Sequence, residues 1–186
     1  MKQIITLIII ALLAVPAFSQ ELSNREKKQL EKELKKEQQA EDLANKSAMV
    51  DAMVNYRRFV LEAYNLKDKR GNLVNVSPTI NFIAADSITG VIQVGSNSYI
   101  GANGVGGVTV EGDISNYKII KNEKRGTYTI SYYLRTPLGS YDVRLNVSPD
   151  ARADADVSST TWGGRLRYTG NLVPPSMSRV YKGMSL

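Results

Sequence analysis

The sequence predicts an α+β fold in which an N-terminal helix precedes an antiparallel β meander that forms a curved sheet or partial barrel. Three observations predict it. No Gly or Pro interrupts residues 24–56, where Lys, Glu, Gln, Leu and Ala dominate. After Tyr56 the apolar residues recur at every second position. Turn sequences rich in Gly and Pro then separate the alternating segments, which is typical of antiparallel hairpins.

The first 19 residues are predicted to be a signal peptide. Lys2 precedes a predominantly apolar run from Ile4 to Val15, and small residues then lead to Ser19. Cleavage after Ser19 would leave Gln20 as the first mature residue. An uncleaved anchor is the alternative, but a membrane helix needs about 20 apolar residues. We therefore expect an exported protein, in the periplasm or outside the cell, with no transmembrane helix after cleavage.

Residues 20–56 are predicted to form a charged and then amphipathic helix. Ser23 and Glu26 have the spacing of a capping box at its start. The first half carries only Leu30 and Leu34 as large apolar residues, which favours a solvated stalk over a coiled coil or partner-binding arm. In the second half, an apolar stripe at helical spacing is predicted to face the core: Leu43, Ala44, Ala48, Met49, Ala52, Met53 and Tyr56.

Residues 57–175 are predicted to form the β domain, followed by a C-terminal tail at 176–186. The cleanest alternation places Tyr128, Ile130, Tyr132 and Leu134 on one face of a strand. After the turn "TPLGS", a second strand has the same pattern at Tyr141, Val143, Leu145 and Val147. Such alternation indicates sheets with one buried and one solvated face.

Composition excludes several classes of function. The chain of 186 residues has no Cys and no His, which removes disulfides, thiolate nucleophiles, Cys/His zinc sites and Ser-His-Asp triads. The net charge is +6, but acidic residues match the basic ones along residues 21–46. A basic face with interleaved aromatic residues is not evident, so no nucleic-acid partner is predicted. No cofactor is predicted either.

The stretch "SNSYIGANGVGGVTVEGDI", from Ser96 to Ile114, raises the question of a phosphate-binding loop. Such a loop leads from a strand into a helix and, in its Walker form, carries a Lys. Here the glycines lead into "VTVE", which is a predicted strand, and no Lys lies between Lys69 and Lys118. The stretch is therefore predicted to be a strand-to-strand loop that forms the rim of a binding cleft.

Exposed aromatic residues supply the rest of the predicted binding site. The candidate ligand-binding residues are Tyr99, Gly101, Gly104, Gly106, Gly107, Tyr133 and Trp162. Cross-strand packing is the alternative role for the three aromatic residues.

Two groups of acidic residues are candidates for chemical sites, but the sequence favours them less. Asp150, Asp154 and Asp156 could contact a calcium ion, but the spacing of an EF-hand loop is absent and a solvated strand face explains them. A hydrolase would need two converging carboxyl groups, for which these residues are candidates by type: Glu62, Asp86, Glu111, Asp113 and Asp142. No catalytic residue and no metal ligand are predicted.

Several short motifs occur in a specific order after the helix. They are "RRFVLEA", "YIGANGVGG", "EGDISNYKI", "YTISYYLRT", "YDVRLNVSPDARADADVSS" and "RLRYTGNL". With them the chain resembles, from about Arg58 to Leu172, the domain-of-unknown-function 4251 family of exported bacterial proteins. Many members carry a lipoprotein cysteine after the leader, whereas this chain has none. The resemblance implies an exported α+β protein and no particular activity.

The sequence thus predicts an exported, non-catalytic protein that binds through an aromatic and glycine-rich loop. Its partner is expected to be a small ligand or another envelope protein. The alternative is a structural envelope component that acts through its N-terminal helix, and a carboxylate-dependent hydrolase is a third, weaker hypothesis.

Overall fold

The computed structural model describes residues 24–96, 103–161 and 163–185. A long helix, α1 (Asn24–Asn55), precedes nine strands and a short 3-10 helix (Pro175–Met177). The strands are β1 (Arg58–Asp68), β2 (Leu73–Asn75), β3 (Phe82–Asp86), β4 (Thr89–Val94), β5 (Val108–Asn122), β6 (Thr127–Thr136), β7 (Gly139–Val147), β8 (Arg152–Ser159) and β9 (Arg165–Val173). The chain divides into two compact units, Met1–Gln39 and Ala40–Leu186.

The strands form a closed barrel and not the predicted curved sheet or partial barrel. Consecutive strands from β3 to β9 pair antiparallel, and β1 pairs with β3 along one edge and with β9 along the other. Eight strands, β1 and β3–β9, therefore close the ring, while β2 pairs with the C-terminal part of β1. Closure leaves no edge strand in the ring. Alternation of apolar residues is the same in an open and a closed sheet, so it could not predict that β1 pairs with β9.

The barrel interior is the hydrophobic core. Tyr128, Ile130, Tyr132 and Leu134 of β6 are buried there, as the alternation predicted. Strands on every side of the ring contribute further inward side chains, including Phe59, Leu61, Ile83, Val110, Val143, Leu145, Ala155, Tyr168 and Leu172. An eight-stranded barrel is just wide enough for side chains to fill its interior or to hold one small ligand.

The C-terminal part of α1 covers one end of the barrel, which we call the helix end. Val50, Met53 and Val54 are buried in the same core as the strands, and Asp51 accepts a 2.6 Å hydrogen bond from the Tyr128 hydroxyl. The predicted stripe was therefore largely wrong: of its residues, Leu43, Ala44, Ala48, Ala52 and Tyr56 are exposed. The branched side chains of Val50 and Val54 determine the buried face, and the small alanines do not. No helix in the described ranges is long and apolar enough to cross a membrane.

The C-terminal tail crosses the outer face of β1, β3, β4 and β5. Ser178 donates a hydrogen bond to Glu62 of β1, and Lys182 forms a 2.7 Å ion pair with Glu111 of β5. Between them the amide nitrogen of Gly183 donates to the side-chain oxygen of Gln93 on β4. The tail therefore buries a part of the barrel wall that would otherwise face solvent, and the sequence pattern did not predict this contact.

Candidate functional site

A cavity of about 230 Å³ lies at the distal end of the barrel, opposite the helix end. Strands on opposite sides of the ring line it, since β4 and β5 face β7, β8 and β9. Because these two groups are not neighbours in the sheet, the cavity lies within the barrel interior. Its lining is mostly aliphatic and aromatic: Ile92, Val94, Val108, Val110, Tyr141, Val157, Leu166 and Tyr168, with Ser159, Gly164 and Arg165 at the strand ends.

Strand register places the lining residues opposite one another. Ile92 pairs with Val110, and Val94 pairs with Val108, which makes one apolar wall. On the other side, Val157 of β8 pairs with Leu166 of β9. Alternation directs these side chains inward near the distal ends of their strands. The cavity is therefore an extension of the core that reaches solvent at the distal end.

Two tyrosines give the cavity its polar groups. Both hydroxyls are neutral at physiological pH, since burial raises the pKa of Tyr168 and of Tyr141 further above the ordinary tyrosine value of 10.0. The Tyr168 hydroxyl is 3.5 Å from the main-chain oxygen of Gln93, a long hydrogen bond. The interior of the site is therefore apolar and uncharged, and the Tyr168 hydroxyl within it already donates to the main chain.

A second and larger cavity, of about 510 Å³, adjoins the first at the distal end. Val94 and Leu166 line both. The larger cavity has more polar groups in its wall, including Asn72, Asn75 and Ser77. The two cavities together give this end the size and the apolar character of a small-molecule site, which typically occupies about 300–1,000 Å³.

The predicted glycine loop connects β4 and β5 at this same end. Its described glycines form a tight turn around Asn103, whose side-chain oxygen accepts hydrogen bonds from the amides of Val105 and Gly107. Gly104 has a φ of +76°, a conformation that favours glycine. A side chain at Gly107 would overlap the main-chain oxygen of Val94. The backbone geometry thus gives these glycines a structural role beside the cavity.

Three predicted site residues, Tyr99, Gly101 and Trp162, lie outside the described residues. Tyr99 and Gly101 belong to the connection between β4 and β5, and Trp162 belongs to the connection between β8 and β9. Both connections join strands whose adjoining ends, Val94, Val108, Ser159 and Arg165, line or border the cavity.

The structure does not bring Tyr133 to this end of the interior. Tyr133 is 41% exposed on the outer wall, where it pairs with Asp142 of β7 and Ser115 of β5. There it lines a polar pocket of about 320 Å³ together with Lys118 and Arg144. Among the predicted site residues that the structure describes, Tyr133 therefore lies apart from Gly104, Gly106 and Gly107.

Most of the acidic candidates contact basic or polar groups on the outer wall. Glu62 binds Ser178 and the amide of Arg179, and Arg58 pairs with Asp86. Arg167 and Arg165 hydrogen-bond to Asp156 and hold the pKa of its carboxyl below its usual value. Among the described residues, no group of three or more acidic side chains could hold a metal ion.

Sequence reasoning missed the residues that line the cavity. The sequence predicts only that these residues face the core: Ile92, Val110, Val157 and Tyr168. The apolar alternation is the same whether side chains fill the barrel interior or leave a cavity in it. One signal in the sequence could have indicated the cavity. Small residues, Ser159 and Gly164, stand at the distal ends of β8 and β9, where larger side chains would fill the interior.

Comparisons with known proteins identify similar sequences and structures. A model of one protein family, Domain of unknown function (DUF4251), matches residues 41–172. Among solved structures, the crystal structure at 1.95 Å resolution of a DUF4251 family protein from Bacteroides eggerthii DSM 20697 is 28% identical, with a TM-score of 0.62. The similarity covers 73% of this chain and 91% of that chain. No curated protein matches the sequence.

Proposed function

The chain belongs to the DUF4251 family, whose shared domain has no known function, and from that premise we propose that it is an exported, non-catalytic binding protein. The ligand-binding site is the apolar cavity at the distal end of the barrel. The described strand ends on either side of the two connections that carry Tyr99 and Trp162, at Val94, Val108, Ser159 and Arg165, line this site. Export follows from the predicted signal peptide, and mass spectrometry of the protein from its native cell should find Gln20 as the first residue.

The observation that carries this proposal is the cavity itself. The helix end is covered by Val50, Met53 and Val54, whereas the distal end retains an interior space of about 230 Å³ with an apolar lining. Protein interiors are close-packed, and an apolar space of this size leaves its lining without contacts. An apolar ligand would recover those contacts by entering the barrel.

Filling the cavity from its mouth tests the proposal. Val108 lines the cavity and is 47% exposed, so Val108→Trp can occupy the entrance without disturbing the core. We expect this variant to lose binding of a neutral apolar probe, N-phenylnaphthylamine, measured by the increase in probe fluorescence. The matched control is Ile88→Trp, at a 72% exposed position on the turn between β3 and β4 at the helix end. Equal probe binding by both variants would contradict the location of the site.

The exposed leucines of α1 support a second candidate function, that of a structural envelope component. Leu30 and Leu34 are 46% and 49% exposed, and their four-residue spacing places them on the same helix face. If this face contacts another envelope protein, replacing both leucines with Lys should reduce retention of the protein in the membrane-associated fraction. Replacing the exposed Lys28 and Lys32 with Gln is the control. Unchanged retention would remove the helix as a contact element.

A further inference from the structure

A cluster of basic residues borders the cavity on the outer wall of the barrel. Lys67, Lys69 and Arg70 from the end of β1 and its turn lie in one depression with Arg165 and Arg167 of β9. Lys67 and Arg167 are direct cross-strand neighbours. Like charges directly opposite one another are unfavourable in a sheet; Asp156 compensates the charge of Arg167, whereas Lys67 has no carboxylate partner among the described residues.

The acidic residues of this depression are already engaged. Asp156 is shared by two arginines, at 2.7 Å from Arg167 and 3.1 Å from Arg165. The Asp68 carboxylate accepts hydrogen bonds from the amides of Arg70 and Asn72 and from the Asn72 side chain. No carboxylate of the described residues lies within ion-pair distance of Lys67, Lys69 or Arg70. The depression therefore has a net positive charge.

Arg165 joins the basic depression to the apolar cavity. It lines both, since it is the first residue of β9 and the next residue, Leu166, faces the interior. A ligand in contact with Leu166 and Tyr168 would thus have its outer end beside Arg165, whose partly exposed guanidinium is 3.1 Å from Asp156. A basic group at the mouth of an apolar site fits a molecule with a nonpolar body and an anionic end.

We infer that the site binds an anionic, single-chain amphiphile, with its hydrocarbon chain in the cavity and its carboxylate at Arg165. This inference rests on the proposed function and names its ligand class. The cavity of about 230 Å³ would hold roughly seven or eight groups of the size of water, each of about 30 Å³. A medium-length chain such as that of octanoate matches this volume.

Three probes with the same chain and different end groups test the inference: octanoate, octanol and octyltrimethylammonium. Isothermal titration calorimetry should show the tightest binding for octanoate, and this binding should weaken as the salt concentration rises. Arg165→Gln should weaken octanoate binding by about fivefold to tenfold and leave octanol binding unchanged. The control, Arg125→Gln, removes the same charge from the exposed turn between β5 and β6 at the helix end and should have no effect.

The outcomes separate the inference from the proposed function. Equal affinities for octanoate and octanol, or tighter binding of octyltrimethylammonium, would leave the cavity as a binding site and overturn the anionic ligand. An unchanged octanoate affinity in Arg165→Gln, with its thermal unfolding also unchanged, would overturn the role of Arg165. If none of the three probes bound and Val108→Trp did not alter binding of the neutral fluorescent probe, the proposed function itself would fail.

Discussion

Tyr128 and Tyr132 are buried tyrosines of β6 whose hydroxyl groups have different surroundings. Tyr128 donates a hydrogen bond to Asp51 of α1. The Tyr132 hydroxyl has no hydrogen-bond partner among the described residues, and its ring stacks on Tyr117 with 5.8 Å between centroids. A buried hydroxyl without a partner costs free energy that a hydrogen-bonded one does not. The two residues therefore contribute differently to stability despite their identical chemistry.

We expect Tyr132→Phe to unfold at the same urea concentration as the wild type or at a higher one. Tyr128→Phe, as the matched change, should lose about 1 kcal/mol of unfolding free energy because its bond to Asp51 is removed. A loss of similar size in Tyr132→Phe would show that an ordered water satisfies its hydroxyl.

The pH dependence follows from the same burial. Burial raises the pKa of Tyr132 above the ordinary tyrosine value of 10.0. The Tyr132 hydroxyl then ionises at lower pH in the unfolded chain than in the folded one. The contribution of this group to stability is therefore present below pH 10.0 and is lost as the pH rises above it. The urea midpoint of Tyr132→Phe should therefore fall less than that of the wild type between neutral and strongly alkaline pH.

Among the elements, β6 and β7 follow their sequence pattern most closely, and β3 and β4 follow it least. Each of the first pair has one face in the core and one in solvent, so alternation alone predicts it. In β3 and β4 the tail covers the outer face, and Phe82 and Gln93 are buried there although they point away from the interior. Local periodicity cannot predict a face that is buried by a segment roughly 90 residues away along the chain.

The contact between β1 and β9 is the element pairing that the sequence did not predict, and Gly170 permits it. A Cβ atom at Gly170 would overlap the main-chain oxygen of Glu62 in β1. Gly170→Ala should therefore cost about 2–4 kcal/mol of unfolding free energy, measured by urea denaturation. Gly164→Ala is the control, since no atom lies within 4 Å of a Cβ there. Equal stability of the two variants would show that β1 and β9 can move apart enough to accommodate a methyl group at residue 170.

At the scale of the whole molecule, the tail connects parts of the barrel that are far apart in the sequence. Gln93 is fully buried beneath it and makes hydrogen bonds with Ile80, Tyr181, Thr109 and Gly183. The helix and the meander could be predicted from the sequence because their signals are local. Closure, the tail contact and the cavity could not, because each depends on residues that only the complete fold brings together.

The ion pair between Glu111 and Lys182 makes the tail contact sensitive to acid. The hydrogen bond from Lys182 lowers the pKa of Glu111 below its ordinary value of 4.5. The contribution of this carboxylate to the free energy of unfolding is therefore present above pH 4.5. It is lost as the pH falls through the lower pKa of the folded state. Both side chains are partly exposed, so the pair is worth less than about 1 kcal/mol.

We expect Glu111→Gln to speed hydrogen exchange of the Tyr181, Gly183 and Met184 amides at neutral pH. In strong acid the variant and the wild type should exchange at the same rate, after correction for the intrinsic pH dependence of exchange. Glu123→Gln, at an exposed position in the turn after β5, is the control. A difference that persisted in strong acid would show that the carboxylate charge does not hold the tail.

The pairing of β1 with β9 also sets an order of events during synthesis. Ala63 and Gly170 are direct neighbours in the sheet but are separated by roughly a hundred residues of chain, and such distant contacts form slowly. The ring cannot close until β9 has left the ribosome, and the tail can dock only after that. Until β9 is made, the edge of β1 that it pairs with and the edge of the newest strand remain unpaired. A barrel built in this way reaches its final state only after β9 and the tail are both available, so its closure is a late event in folding.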